Sequence, residues 1–227
     1  TIRGNTVTCF SLGISLLDTQ ALLICGGLKY FLGSSFPSNK CYILDKYSSK
    51  LFATMSEKRA YPASLITNEN KLWVTGGVNL YPYMFFSSTE YILKTGESVE
   101  GPELPLGLAG HTVNAINSTF SMFIGGVIES RNSINLTYYY DHYNQAWFDG
   151  PRLNIARSYH GAGIVTDLIT SEKFVVVTGG KYYDDASGNQ YFCSTEILID
   201  GKWVLGNCMY HMFAVEILIV FCLFERI

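Results

Sequence analysis

Four glycine doublets, each closing a short apolar run, constrain this chain more than any other feature. Residues 174–180 read Phe-Val-Val-Val-Thr-Gly-Gly and residues 72–77 read Leu-Trp-Val-Thr-Gly-Gly; the runs at 120–126 and 21–27 end Phe-Ile-Gly-Gly and Ile-Cys-Gly-Gly. The doublets are Gly26-Gly27, Gly76-Gly77, Gly125-Gly126 and Gly179-Gly180, so successive steps are 50, 49 and 54 residues. A period near fifty with strand-like content marks a repeat array built from small sheets. The doublet strands are continuously apolar rather than alternating, as expected of strands covered on both faces. Because each doublet ends a strand with no helix behind it, none is a phosphate-cradling loop.

Taken in order, each repeat reads as four short strands separated by turn residues, with no sustained helical periodicity. In the first, 21–25 is an apolar strand, 28–39 a loop holding Gly33, Ser34, Ser35 and Pro37, and 40–44 a further strand stopped by Asp45. The second repeat turns at Asn68-Glu69-Asn70, the third at Asn117-Ser118 and the fourth around Ser171-Glu172-Lys173, each just before its doublet strand. This predicts an all-β domain over 1–206, with repeats near 9–57, 58–107, 108–156 and 157–206, followed by a degenerate or truncated segment, 207–227.

Composition bears on function mainly by exclusion. At 227 residues, 48% hydrophobic and 15% charged, the chain can bury a large core and is neither disordered nor supercharged. A net charge of −3, with no basic cluster beyond Lys58-Arg59, argues against a nucleic-acid binder. Thr1 opens the chain without a methionine, as expected of a fragment or processed product, and 1–23 lacks the apolar core of a signal peptide. Residues 212–224 are apolar apart from Glu216 but too short to span a bilayer. The cysteines (Cys9, Cys25, Cys41, Cys193, Cys208, Cys222) include no C-x-x-C pair. Buried or free thiols are expected of them, with Cys41 and Cys193 as oxidised partners the alternative. Cys208 and His211 form a C-x-x-H pair without further ligands, and His111, His142 and His160 add no ligand set. No metal or cofactor is expected. His111 and His160 recur at one place in successive repeats, which points to packing or hydrogen bonding.

Over about 21–206 these residues resemble the kelch repeat family: an apolar strand, a glycine doublet, a variable loop, a strand ending near tyrosine, a later tryptophan, and an arginine opening the next repeat. The third repeat fits best, with Gly125-Gly126, Tyr139-Tyr140-Asp141, Trp147 and Arg157; the fourth supplies Gly179-Gly180 and Trp203. Leu51 and Val99 stand where the first two repeats would carry tryptophan, and Leu108 stands where the third would open on arginine. The resemblance implies a kelch-type β-propeller of four-stranded antiparallel blades, with Trp147 and Trp203 wedged between blades. Four recognisable repeats imply an incomplete ring. After Trp203 the Gly-Pro continuation seen at Gly101-Pro102 becomes Gly206-Asn207, and no fifth doublet follows.

Recognition is expected on the loops that follow the doublets, 28–39, 78–87, 127–135 and 181–193, because loops on a rigid scaffold carry most binding. They are rich in aromatic residues, which give contact area at low entropy cost. The candidate contacts are Tyr81, Tyr83 and Phe85 in the second loop, Tyr182, Tyr183, Asp184 and Asp185 in the fourth, and Arg59 and Arg157 beside them. The alternative for the two arginines is to tie neighbouring blades through backbone carbonyls. Nothing assembles a nucleophile, a base and an orienting group. The expectation is therefore a non-catalytic scaffold that binds a protein or peptide, without a membrane span. Alternatives are an extracellular adhesion or matrix module and, behind it, a sugar-acting enzyme of the propeller superfamily. Asn117 and Asn135 head N-glycosylation sequons; about two are expected by chance, so they barely constrain the compartment, for which the extracellular side is weakly favoured.

Overall fold

The structure, a computed structural model, describes residues 7–8, 14–15, 22–31, 33–44, 48–167, 169–184 and 188–208. It divides into two compact units, Thr1–Ala109 and Gly110–Ile227. Every regular element among the described residues is a β-strand, and no helix there is long and apolar enough to cross a membrane.

In the first unit β1 (Val7–Thr8), β2 (Ile14–Ser15), β3 (Leu22–Cys25), β4 (Leu28–Phe31), β5 (Ser34–Leu44) and β6 (Ser49–Arg59) share one antiparallel sheet. Its body is the meander β2-β3-β5-β6, while the first part of β5 folds back on β4. The second sheet takes β7 (Ala63–Ile66) and β8 (Leu72–Thr75), then skips a ribbon of β9 (Val78–Leu80) and β10 (Tyr83–Phe85). It resumes with β11 (Thr89–Ile92) and β12 (Ser98–Glu100). Leu23, Cys25, Cys41, Ala53 and Met55 of the first sheet form one buried cluster with Leu72, Val74 and Ile92 of the second.

The second unit repeats the pattern. A third sheet runs β13 (Thr112–Ala115), β14 (Phe120–Ile124), β15 (Thr137–Asp141), β16 (Ala146–Asp149). A fourth takes β17 (Gly161–Thr166) and β18 (Lys173–Thr178), skips a ribbon of β19 (Lys181–Asp184) and β20 (Gly188–Tyr191), and ends with β21 (Ser194–Ile199) and β22 (Lys202–Cys208). Met122, Ile124 and Leu153 pack here against Val175, Val177 and Trp203. Local turn chemistry sets the registers. Asp167 Oδ1 accepts the Ile169 and Thr170 amides between β17 and β18, and Asp200-Gly201, both at positive φ, close the two-residue hairpin between β21 and β22.

The doublets sit at one register in all four sheets. The cross-strand pairs before them are Cys25 with Cys41, Thr75 with Thr89, Ile124 with Thr137, and Thr178 with Thr195. The first glycine amide then bonds the third strand, as in Gly26 N to Lys40 O (3.0 Å) and Gly125 N to Leu136 O (2.9 Å). The second reaches the opening of the next repeat: Gly27 N to Arg59 O (2.8 Å), Gly77 N to Leu108 O (2.7 Å) and Gly126 N to Arg157 O (2.9 Å). Gly125 shows why no side chain fits. Its φ is +58°, and an added Cβ would lie 2.5 Å from the Arg157 carbonyl oxygen.

The structure corrects several expectations. Three of the four loops after the doublets are antiparallel ribbons, because their backbones pair with themselves beyond the sheet edge. Only 127–135 stays irregular, with a single bridge from Val127 to Ser133. Cys41 and Cys193 are not partners of each other, and neither is a free thiol. Cys25 is bonded to Cys41 across β3 and β5, and Cys193 to Cys208. Trp203 is buried between the third and fourth sheets, its indole donating to Pro151 O (2.9 Å). Trp147 holds the same register on β16 as Trp203 does on β22. It is half-buried on its own sheet against Phe123 and Tyr140, whereas Trp73 on β8 is wholly buried. Pairing also shifts the tryptophan register: Ser49 and Ser98, not Leu51 and Val99, stand where Trp147 and Trp203 stand. The change to Asn207 is conservative, since its carbonyl accepts the Thr195 hydroxyl as Pro102 and Pro151 accept those of Thr89 and Thr137. β22 continues to Cys208; 209–227 lie outside the described residues.

Candidate functional site

Arg59 and Arg157 are placed where a partner does not reach them. Both are wholly buried, so they are withdrawn as surface contacts. Through Nη1 and Nη2 each makes a matching set of bonds inside its own unit, and Arg59 Nε adds a bond to Glu90 Oε1 (3.2 Å) that Arg157 Nε does not make among the described residues. Arg59 Nη1 donates to Gly76 O and Ser88 O (both 2.8 Å), and Nη2 to Ser88 Oγ (2.9 Å) and Glu90 Oε1 (3.0 Å). Arg157 donates likewise to Gly179 O (2.9 Å), Ser194 O (3.0 Å), Ser194 Oγ (3.2 Å) and Glu196 Oε1 (2.9 Å). A phenylalanine lies against each guanidinium, Phe86 at 4.9 Å and Phe192 at 5.5 Å.

The carboxylates are held from behind as well. Glu90 accepts the Ser56 and Glu57 amides and the Ser98 hydroxyl; Glu196 accepts the Asn154 and Ile155 amides. Burial pushes the Glu90 pKa up, but Ser98, the Ser56 amide and Arg59 together outweigh it and hold the carboxyl below its usual range. Burial lowers the pKa of both arginines against the pull of their glutamates. Arginine remains a cation regardless. These charges fasten strand ends and doublet carbonyls together, the tying role among the two expectations. The carboxylate half carries its own signal in the sequence, a tripeptide Ser-Thr-Glu at 88–90 and again at 194–196. In the third repeat Leu108 replaces the arginine and Tyr138 the glutamate, so both charges are lost together.

The exposed aromatic surface of the first unit belongs to the ribbons. Tyr81 is 72% exposed, Tyr83 46%, Phe36 45% and Met84 45%. Register explains the projection: Leu80 pairs with Tyr83, leaving Tyr81-Pro82, with a cis peptide, as a two-residue tip beyond the sheet. Phe36, on the neighbouring β4–β5 ribbon, places its ring 6.5 Å from that of Tyr81. Tyr83 meets the half-buried Phe85 edge-on at 5.5 Å. Tyr61 belongs here too. Burial, and secondarily Tyr83, raises its phenol pKa, and its φ of +54° is unusual for a tyrosine. Tyr159 (φ +55°) and Gly110 (φ +60°) hold the same offset from Arg157 and Leu108 as Tyr61 does from Arg59. The glycine at that offset was the readable sign of a left-handed position.

In the second unit the β19–β20 ribbon carries Tyr182 half-buried and Tyr191 exposed, and Lys181 Nζ lies 4.7 Å from the Tyr159 ring centre. Tyr183 and Asp184 are described by backbone alone, pairing with Asn189 and Gly188, and Asp185 lies outside the described residues. His160 is buried and bonded to Thr112 Oγ1 (3.0 Å), and His111 stacks on Phe123. Desolvation drives both imidazole pKa values down to about 3, with the Arg157 charge adding to the effect at His160. Among the described residues no group of three or more histidine, cysteine or acidic side chains is placed to hold a metal, and His211 lies outside them. Asn117 is exposed in the β13–β14 turn, whereas Asn135 is half-buried beside Leu153.

No protein-family model matches the sequence, and no curated protein matches it. Solved structures do, 177 chains in all. One, described as "Structure of YjhT", is 15% identical with a TM-score of 0.72, over 86% of this chain and 70% of that one. At that identity the likeness is one of fold alone.

Proposed function

We propose that the chain is a non-catalytic, kelch-type β-propeller module that binds a protein or peptide through the ribbons following its glycine doublets. The observation that carries this is the cluster of Phe36, Tyr81, Tyr83 and Met84. All four are large side chains left in water on two ribbons, with the Phe36 and Tyr81 rings 6.5 Å apart. Such rings, with a polar phenol tip on a fixed backbone, suit a surface that must bury area on a partner without first being ordered. The four sheets at one register, with doublets joining each repeat to the next, support the propeller reading. The two disulfides favour an extracellular adhesion or matrix setting over a cytosolic adaptor, since such bonds persist in oxidising compartments.

Peptides selected from a random displayed library against the folded chain test the reading. Selected peptides are expected to lose at least tenfold in affinity with Tyr81→Ser/Tyr83→Ser. Peptides indifferent to those changes, together with no selection above background on the ribbon face, refute it.

A further inference from the structure

The two sequons look alike in the sequence, yet the structure treats their asparagines in opposite ways. Asn117 occupies an exposed tip between β13 and β14. Its Oδ1 accepts the Thr119 and Phe120 amides, both at 2.8 Å, so the side chain is fixed by its oxygen. The amide nitrogen makes no hydrogen bond among the described residues, and Ser118 beside it is exposed. At Asn135 the nitrogen is the engaged atom, donating to Leu153 O (3.1 Å), while Asn135 O accepts the Leu153 amide (2.9 Å). The third residue of that sequon, Thr137, is buried, its hydroxyl given to Pro151 O. A saccharide on Asn135 would part β15 from the 151–153 segment that packs Leu153 into the core of the second unit.

We infer that Asn117 is an N-glycosylation site of this protein and that Asn135 is not. In the step, Asn117 Nδ2 forms a bond to the anomeric carbon of an oligosaccharide carried on a lipid diphosphate. The bond from that carbon to the diphosphate oxygen breaks, and the proton lost from Nδ2 goes with the departing diphosphate. The transferase and its donor belong to the compartment where the Cys25–Cys41 and Cys193–Cys208 bonds form, so the inference rests on the oxidising-compartment part of the proposal above.

The test is the full chain expressed behind a secretory leader in eukaryotic cells and mapped by peptide mass spectrometry after glycosidase release in heavy-oxygen water. Asn117 is expected to be converted to labelled aspartate and Asn135 to remain asparagine in the disulfide-bonded product. Thr119→Ala should abolish the glycan while leaving the melting midpoint unchanged, and Asn135→Gln should keep the glycan and lower the midpoint. A bare Asn117, or a glycan on Asn135 in folded product, overturns the inference. If the cell retains the chain, the same map of its membrane fraction reads Asn117, and a bare residue there overturns it equally. Disulfides formed with Asn117 bare reject the glycan alone; free thiols in secreted product reject the compartment.

Discussion

Glu196 and Arg157 are a charged pair with no solvent contact, 2.9 Å apart, inside the second unit. Removing one partner of such a pair leaves an uncompensated buried charge and costs about 3–5 kcal/mol, whereas replacing both by groups of similar volume is far milder. The third repeat names the replacement, with Leu108 and Tyr138 at the two positions. Denaturant unfolding of Arg157→Leu should therefore show a loss of about 3–5 kcal/mol, and Arg157→Leu/Glu196→Tyr should recover part of it. A double variant as damaged as the sum of its singles would contradict this. The buried histidines make stability depend on pH. In the native state both stay neutral down to about pH 3, but unfolded histidine titrates near 6.5. Their contribution is whole above that value and declines as pH falls from about 6.5 towards 3, by up to ~1.4 kcal/mol per pH unit for each. Unfolding midpoints measured at pH 7.5, 5.5 and 4.5 should fall accordingly, and His160→Gln should halve the slope. A midpoint flat over that range would contradict burial of the neutral rings.

At the scale of elements, the two disulfides fasten strands at different places in their sheets. Cys41 takes the place held by Thr89, Thr137 and Thr195, and Cys193–Cys208 clips the last strand to the foot of its ribbon. A loop of that length is worth about 3 kcal/mol, so Cys193→Ser/Cys208→Ser should lower stability by roughly that much, read by urea unfolding. No loss would mean that the bond is idle. Much of this scale was legible in the sequence. Doublets with apolar strands before them recur four times, and repetition turns a weak signal into a register. The ribbons were not legible, because Gly33-Ser34-Ser35 and Gly188-Asn189-Gln190 carry turn-forming chemistry, not strand chemistry. Their pairing is fixed instead by doublet carbonyls, as in Ser38 N to Gly27 O and Phe192 N to Gly180 O. The cysteine partners were hidden for a related reason: Cys25 and Cys41, 16 residues apart, meet only once the β4–β5 ribbon closes between them, and Cys193 and Cys208, 15 apart, only once β21 pairs with β22. Arg59 and Arg157 were visible, but their burial depends on glutamates some thirty to forty residues onward.

At the scale of the whole molecule, a charged, buried frame and an aromatic, exposed surface are built from different residues. In each unit the frame fixes the strand ends from which ribbons project, and in the first unit the ribbons present Phe36, Tyr81, Tyr83 and Met84 to solvent. Stability should then reside in one residue set and binding in another. The most direct measurement takes two variants, Tyr81→Ser/Tyr83→Ser and Arg157→Ala, and records for each the thermal midpoint and the affinity for a library-selected peptide. The ribbon variant should lose at least tenfold in affinity with its midpoint within about 2 °C of the parent, as surface substitutions do. The arginine variant should melt several degrees lower and, while folded, bind as the parent does. A ribbon variant that binds normally, or an arginine variant that melts normally, would contradict the division.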